Sequence, residues 1–207
     1  MIKTVLWDID GTLLVTGGAG AVAWQRAFEE RWGVEANIEE HTQAGMTDPE
    51  IAAIIFREVI GREGTPEERA KAIGCYLKHL PDAVAESPGY RVMPGIEELL
   101  DRLIDGGMLL GLVTGNIEAA AHIKLARAGL NRFFSFGGYG SDSPDRTELT
   151  KKALERAQQA LGGRLDPARC LPAPGAPGMN SSSATKASPP WRSIASRWSE
   201  PTSASST

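Results

Sequence analysis

Apolar and polar positions along the chain follow two different periods. Thr4 to Ile9 is an apolar run, Val-Leu-Trp, broken by Asp8 and closed by Asp10 and Gly11, the pattern of a buried parallel strand ending in acids. Residues 19–32 take helical spacing, with Val22, Ala23, Phe28 and Trp32 among the apolar positions and Gly33 as the stop. A second helix is predicted from Pro49 to Ile60, with Asp48 as its cap and Pro49 in its first position. A third opens at Thr65-Pro66-Glu67-Glu68, which reads as a capping box. It runs to about Leu80, after which Pro81, Pro88 and Gly89 turn the chain back.

From Met93 the two periods alternate. A helix over Ile96 to Leu103 precedes an apolar strand from Met108 to Val113 that stops at Thr114-Gly115-Asn116. Next come a helix of about Ile117 to Ala128, a short strand including Phe133 and Phe134, and a helix from Thr147 to Leu161. Repetition of strand, polar turn and helix predicts an α/β fold with a parallel sheet covered on both faces, and the helical stretch 15–89 reads as an insertion beside it. The expected organisation is therefore a discontinuous core of 1–14 and 90–171, a helical cap of 15–89, and a tail.

Composition changes the picture at that tail. Pro172, Pro174 and Pro177 arrive at spacings a central strand does not accept. Residues 172–207 hold ten serines, six of the 13 prolines and a single acid, Glu200, which is the composition of disorder. A missing or altered C-terminal part of the core is the expectation. The formal charge of -4 offers no basic field for a polyanion, which argues against nucleic acid. The two cysteines, Cys75 and Cys170, form no C-x-x-C motif. Neither a signal-peptide pattern nor a membrane-length apolar window is evident, so a cytoplasmic protein without a membrane partner is expected.

Chemistry concentrates at two strand ends. In an extended strand Asp8 and Asp10 face the same way, so both carboxylates reach one ligand, one as a nucleophile toward phosphorus and the other as an acid/base. Gly11 lets the chain turn and present backbone N–H groups to phosphate oxygens. Thr114-Gly115-Asn116 supplies a hydroxyl, a flexible link and an amide, and the helix N-terminus that follows suits an anion. Arg146 is the candidate cation, while Lys151 and Lys152 read as surface residues. Plainer readings stand beside these: D-x-D-G as an acidic turn, and Thr114-Gly115-Asn116 as a helix cap.

DIDGTL over Asp8–Leu13, LVTGN around Thr114 and MPGIEELLDRL before it resemble the haloacid dehalogenase-like hydrolase superfamily, close to its phosphoglycolate-phosphatase and β-phosphoglucomutase branch. The resemblance spans about residues 2–170. It implies a Rossmann-like parallel core with an inserted cap, and a hydrolase that releases phosphate from a small phosphorylated metabolite through an aspartyl-phosphate. By that resemblance Asp8 is the nucleophile, Asp10 the acid/base and Thr114 the phosphoryl-binding hydroxyl, while Arg146 stands where the family usually has lysine. Gly11, Thr12, Gly115, Asn116, Thr47 and Asp48 would bind substrate, with Gly45-Met46-Thr47-Asp48 as the cap loop over the site. Mg2+ would sit on the Asp8 carboxylate and the Asp10 backbone carbonyl.

Asp10 favours phosphoryl transfer over dehalogenation. The family's later acidic pair has no counterpart, since no Asp follows Asp166. The alternatives are a phosphosugar mutase and a catalytically impaired phosphate-binding remnant. Self-association through an exposed sheet edge is expected, and the glycines of Thr16-Gly17-Gly18-Ala19-Gly20 read as a hinge into the cap.

Overall fold

A computed structural model describes residues 4–43 and 45–162 together with the backbone of 170–173. The chain begins in β1 (Thr4–Trp7) and passes through a tight turn into β2 (Leu14–Thr16). It then builds α1 (Ala19–Trp32), α2 (Ile38–His41), α3 (Asp48–Ile55), a π turn over Phe56–Ile60, and the long α4 (Pro66–Glu86). β3 (Tyr90–Val92) returns antiparallel to β2. The remainder alternates α5 (Ile96–Asp105), β4 (Leu109–Thr114), α6 (Glu118–Ala126), a 3-10 turn at Leu130–Phe133, β5 (Gly137–Tyr139), α7 (Arg146–Leu161) and β6 (Cys170–Ala173).

The main sheet is parallel, in the order β5-β4-β1-β6. Every residue of β1 is buried, because helices cover both faces. Val5, Trp7 and Ile9 pack with Leu100 of α5 and with Ala121 and Leu125 of α6, whereas Leu6 faces Phe136 and the α7 residues Ala153 and Ala157. A separate apolar cluster joins α1, α3 and α4, centred on Trp24, Phe28, Phe56 and Tyr76. Ile117 and Ala120 also belong to it, so the start of α6 is the seam between the helical insertion and the sheet layers.

Three expectations need correction. α4 does not stop at Leu80 but continues through Pro81 to Glu86, because Leu80, Ala83 and Val84 bury one face against the insertion's core, offsetting the lost N–H at Pro81. Phe133 and Phe134 form no strand: Phe133 ends the 3-10 turn and β5 starts at Gly137. Its glycines hide the strand signal, and packing explains them, since a Cβ on Gly138 would lie 1.9 Å from the Leu149 carbonyl oxygen. Finally, strand structure crosses the expected boundary at 171. β6 pairs in parallel with β1, setting Leu6 opposite Pro172. Among the described residues β6 is an edge strand, where one row of N–H groups needs no partner and Pro172 is accommodated. Asp166 and the segment beyond Ala173 lie outside the described residues.

The two connections to the helical insertion cross at Gly17 and Gly89. Gly17 has φ +62°, and a Cβ there would stand 2.5 Å from Gly89 backbone atoms. Ser87 donates its hydroxyl to the carbonyl of Thr16, and Arg127 bridges the carbonyls of Val84 and Ser87. Gly17→Ala is therefore expected to destabilise the fold by on the order of 2 kcal/mol, combining left-handed strain with a backbone clash. A urea titration at neutral pH measures it; a midpoint equal to that of the parent would refute the crossing.

Candidate active site

The turn after β1 is fixed by the backbone. Leu13 and Leu14 both donate N–H to the Ile9 carbonyl, Gly11 donates to the carbonyl of Leu14, and Gly11 takes φ +77°. This holds Asp8 and Asp10 at the C-terminal end of the central strand, where parallel sheets place ligands. Thr12 is buried under the turn, and its hydroxyl has no hydrogen-bond partner among the described residues.

Asp8 is nearly enclosed. Its Oδ1 accepts the Ile9 N–H at 2.9 Å, and its Oδ2 accepts Arg146 Nη2 at 3.1 Å. Burial pushes the Asp8 carboxyl up; Arg146 opposes that shift and the neighbouring charge of Asp10 adds to it. Arg146 is the first residue of α7, capped by Asp145. The strand-to-helix connection that delivers it is braced by Arg156, which bonds both Asp142 carboxylate oxygens and the Gly137 carbonyl.

The end of β4 supplies the second wall. Thr114 is fully buried, and its Oγ1 accepts both the N–H and the side-chain amide of Asn116, leaving the hydroxyl hydrogen to donate. The Asn116 amide also donates to Asp10 Oδ2 at 2.7 Å, tying the two strand ends together. Gly115 and Gly140 pack so tightly that a Cβ on Gly140 would lie 2.0 Å from the Gly115 carbonyl oxygen.

Residues 45–48 lie on this wall. Asp48 donates its N–H to the Gly115 carbonyl at 3.0 Å, and its Oδ2 accepts the Ile117 N–H at 2.8 Å. The expected cap of α3 is thus wrong by one residue. Thr47 caps it through a reciprocal box with Glu50, while the Asp48 carboxylate occupies the N-terminus of α6, a position that favours negative charge. The anion site anticipated at that N-terminus is filled by a side chain from the insertion.

One participant escapes the motif reading. Lys124 of α6 is only 6% exposed, and its Nζ bonds both Asp10 carboxylate oxygens, at 3.0 and 2.9 Å. Its signal was periodicity. Ala120, Ala121, Lys124 and Leu125 share the buried face of α6, so a lysine stands where a core residue is due.

Lys124 also faces Asp48, whose carboxyl is pushed up to about 6 by burial, with Lys124 and the Ile117 N–H pulling it back. A folded-state value above the ordinary 3.8 means that ionising Asp48 costs stability as pH rises from about 4 to about 6. Asp48→Asn keeps an acceptor for Ile117 without the charge. It is expected to gain up to about 3 kcal/mol above pH ~6, a gain that disappears below pH ~4. Paired denaturant titrations across that range test this, and a pH-independent difference would contradict it.

A family model for haloacid dehalogenase-like hydrolases matches residues 2–171. The chain belongs to that family. A search of curated proteins gives no sequence match. Among solved structures, this haloacid dehalogenase-like chain is similar to CbbY from Rhodobacter sphaeroides in complex with phosphate, with TM-score 0.65 and 19% identity, covering 83% of this chain and 77% of that one. It is also similar to β-phosphoglucomutase from Clostridium difficile, with TM-score 0.62, 19% identity, and 83% and 75% coverage. A hydrolase from Pseudomonas syringae gives TM-score 0.60, 21% identity, and 83% and 75% coverage. At these identities the likeness is one of fold. No described helix is long and apolar enough to cross a membrane.

The family implies Mg2+, and the donor set accommodates it in part. Mg2+ takes near-octahedral oxygen ligation and is commonly held by one or two carboxylates plus substrate phosphate and water. By the family resemblance the Asp8 carboxylate and the Asp10 backbone carbonyl would be its protein ligands, and in the absence of an ion the two Asp8 oxygens accept the Ile9 N–H and Arg146. The Asp10 carboxylate is committed to Lys124 and Asn116.

Proposed function

We propose that this haloacid dehalogenase-like protein is a phosphomonoesterase for a small phosphorylated metabolite, working through a phosphoryl group carried on Asp8. The observation that carries the reading is the setting of Asp8, a nearly enclosed carboxylate at the end of the central strand, with an arginine on one oxygen and a second acid two residues on. Arg146 would neutralise charge on the transferring group, and the Thr114 hydroxyl would donate to a phosphoryl oxygen. Asp10, held between Asn116 and Lys124, would protonate the leaving oxygen and then take a proton from water. Mg2+, held by Asp8 and the Asp10 carbonyl, would neutralise phosphate charge when bound. With so few protein ligands among the described residues, Mg2+ is expected to bind weakly and to rely on substrate phosphate and water for the rest of its shell.

For an anion to reach the N-terminus of α6, the 45–48 segment would have to withdraw the Asp48 carboxylate from the Ile117 N–H. Release of phosphate from a generic aryl phosphate, measured while Mg2+ is titrated, tests the assignment. Arg146→Ala should lower kcat/KM by about 10²–10³-fold, with partial recovery in Arg146→Lys. Equal rates in all three proteins would sink the role of Arg146.

A second reading, a phosphate-binding protein with impaired turnover, is supported by the absence of any Asp after Asp166, which leaves the metal few carboxylates. A single burst of product without subsequent turnover would select it. Self-association through a sheet edge remains part of the proposal, with β5 and β6 as the outer strands of the described sheet.

A further inference from the structure

Away from the strand ends, α1 and α4 bring together three side chains that the proposed chemistry does not use. Cys75 and His79 are four residues apart on α4, hence one above the other on the same helix face. Glu30, in the last turn of α1, lies opposite them. The Cys75 thiol, a His79 ring nitrogen and a Glu30 carboxylate oxygen all lie within 4.8 Å of one another. His79 Nε2 stands 2.7 Å from Glu30 Oε2, and Lys78 Nζ reaches both Glu30 oxygens at 2.8 Å.

We propose that Glu30, Cys75 and His79 form a binding site for a thiophilic divalent cation of the Zn2+ class, which clamps α1 to α4. Thiolate, imidazole and carboxylate are three donors that Zn2+ takes in tetrahedral sites, and the combination is wrong for Mg2+, which requires oxygen. Bonds of about 2.0–2.3 Å in a tetrahedral arrangement put donor atoms roughly 3.3–3.8 Å apart. Binding would draw together donor atoms that lie within 4.8 Å of one another without the ion. Cys75 is buried, His79 is half-buried and Glu30 is the most exposed, so the fourth position faces water.

Charge also balances. One thiolate, one carboxylate and a neutral imidazole neutralise a divalent ion. Without the ion, Lys78 and His79 satisfy the Glu30 carboxylate. On binding, the hydrogen shared between His79 and Glu30 gives way to the cation, the thiol loses its proton to solvent, and Lys78 turns outward. Because the site lies in the helical insertion and uses none of Asp8, Asp10 or Arg146, it stands independently of the phosphatase reading.

The test is a titration of the full-length, metal-free protein with Co2+ alone, read by thiolate-to-cobalt charge-transfer absorption. Zn2+ is then used to displace the Co2+, in excess Mg2+. The expected result is one equivalent of Co2+ per chain with a thiolate band that Zn2+ abolishes and Mg2+ does not, together with a rise in Tm on Zn2+ addition. Cys75→Ser should lose the band, His79→Gln should weaken binding at least tenfold, and Lys78→Met should bind as tightly as the parent or tighter. Cys170→Ser should keep the band, which excludes the second cysteine. No thiolate band, or a band that persists in Cys75→Ser, would overturn the proposal. Lys78→Met, on an exposed side chain, guards against reading a folding defect as lost affinity.

Discussion

Replacing Asp8 with Asn is expected to lower phosphate release from an aryl phosphate by roughly 10⁴-fold or more, the scale seen when a covalent nucleophile is removed. The reason lies in the local geometry. Asp8 is only partly exposed, with one oxygen fixed by its own turn and the other by Arg146, so no nearby group can substitute for it. Asp10 is only two residues away, but Lys124 and Asn116 engage both of its oxygens. Asn preserves shape and the acceptor for Ile9, and removes the buried charge that burial disfavours. The variant is therefore expected to fold at least as stably as the parent. Inactivity combined with an unchanged or raised urea midpoint is the predicted pair of results. Activity within tenfold of the parent would remove Asp8 from the chemistry.

The second large effect is expected at Lys124. Lys124→Met conserves volume on the buried face of α6 but leaves the Asp10 carboxylate with Asn116 alone. The Asp10 side chain is 45% exposed and would gain freedom to leave the position from which it serves the leaving oxygen. A fall in kcat of about 10²-fold is expected, with KM little changed, since general acid/base groups contribute on that scale. Lys124→Arg should recover part of the loss.

Stability should fall as well, by about 1–2 kcal/mol at neutral pH, below the figure for a fully buried pair because Asp10 is half in water. The loss should shrink below pH ~6, where folded-state Asp48 no longer carries the charge that Lys124 offsets. Steady-state kinetics and urea titrations at two pH values measure both effects. Unchanged kcat with a reduced midpoint would make Lys124 purely structural.

The readability of this protein from its sequence follows the range of the interactions involved. β1, the D-x-D-G turn, α1, α5 and α7 are written in local pattern, because each buries a face whose period survives in the chain. Thr114 and Asn116 were legible as a polar break at a strand end, and Arg146 as a cation before a helix. The structure brings these together with Asp8 and Asp10.

What failed to read was set by tertiary packing. β5 is only Gly-Gly-Tyr, with Gly138 required where α7 presses against it, so it carries little apolar signal. β6 contains Pro172, tolerable at the edge of the described sheet, a position that no local pattern announces. Asp48 read as a local helix cap, yet its carboxylate serves α6, nearly seventy positions away. Lys124 was visible only as a misplaced charge on an apolar face, and its partner was legible only once Asp10 and α6 were placed side by side.

The most direct test of the central claim is to trap the phosphoryl group. Mixing the protein with excess aryl phosphate and Mg2+, quenching with acid within a turnover, and mapping peptides by mass should reveal one added phosphoryl group on Asp8, absent from Asp8→Asn. Phosphate released by the parent with no adduct on Asp8, and released equally by Asp8→Asn, would contradict the account.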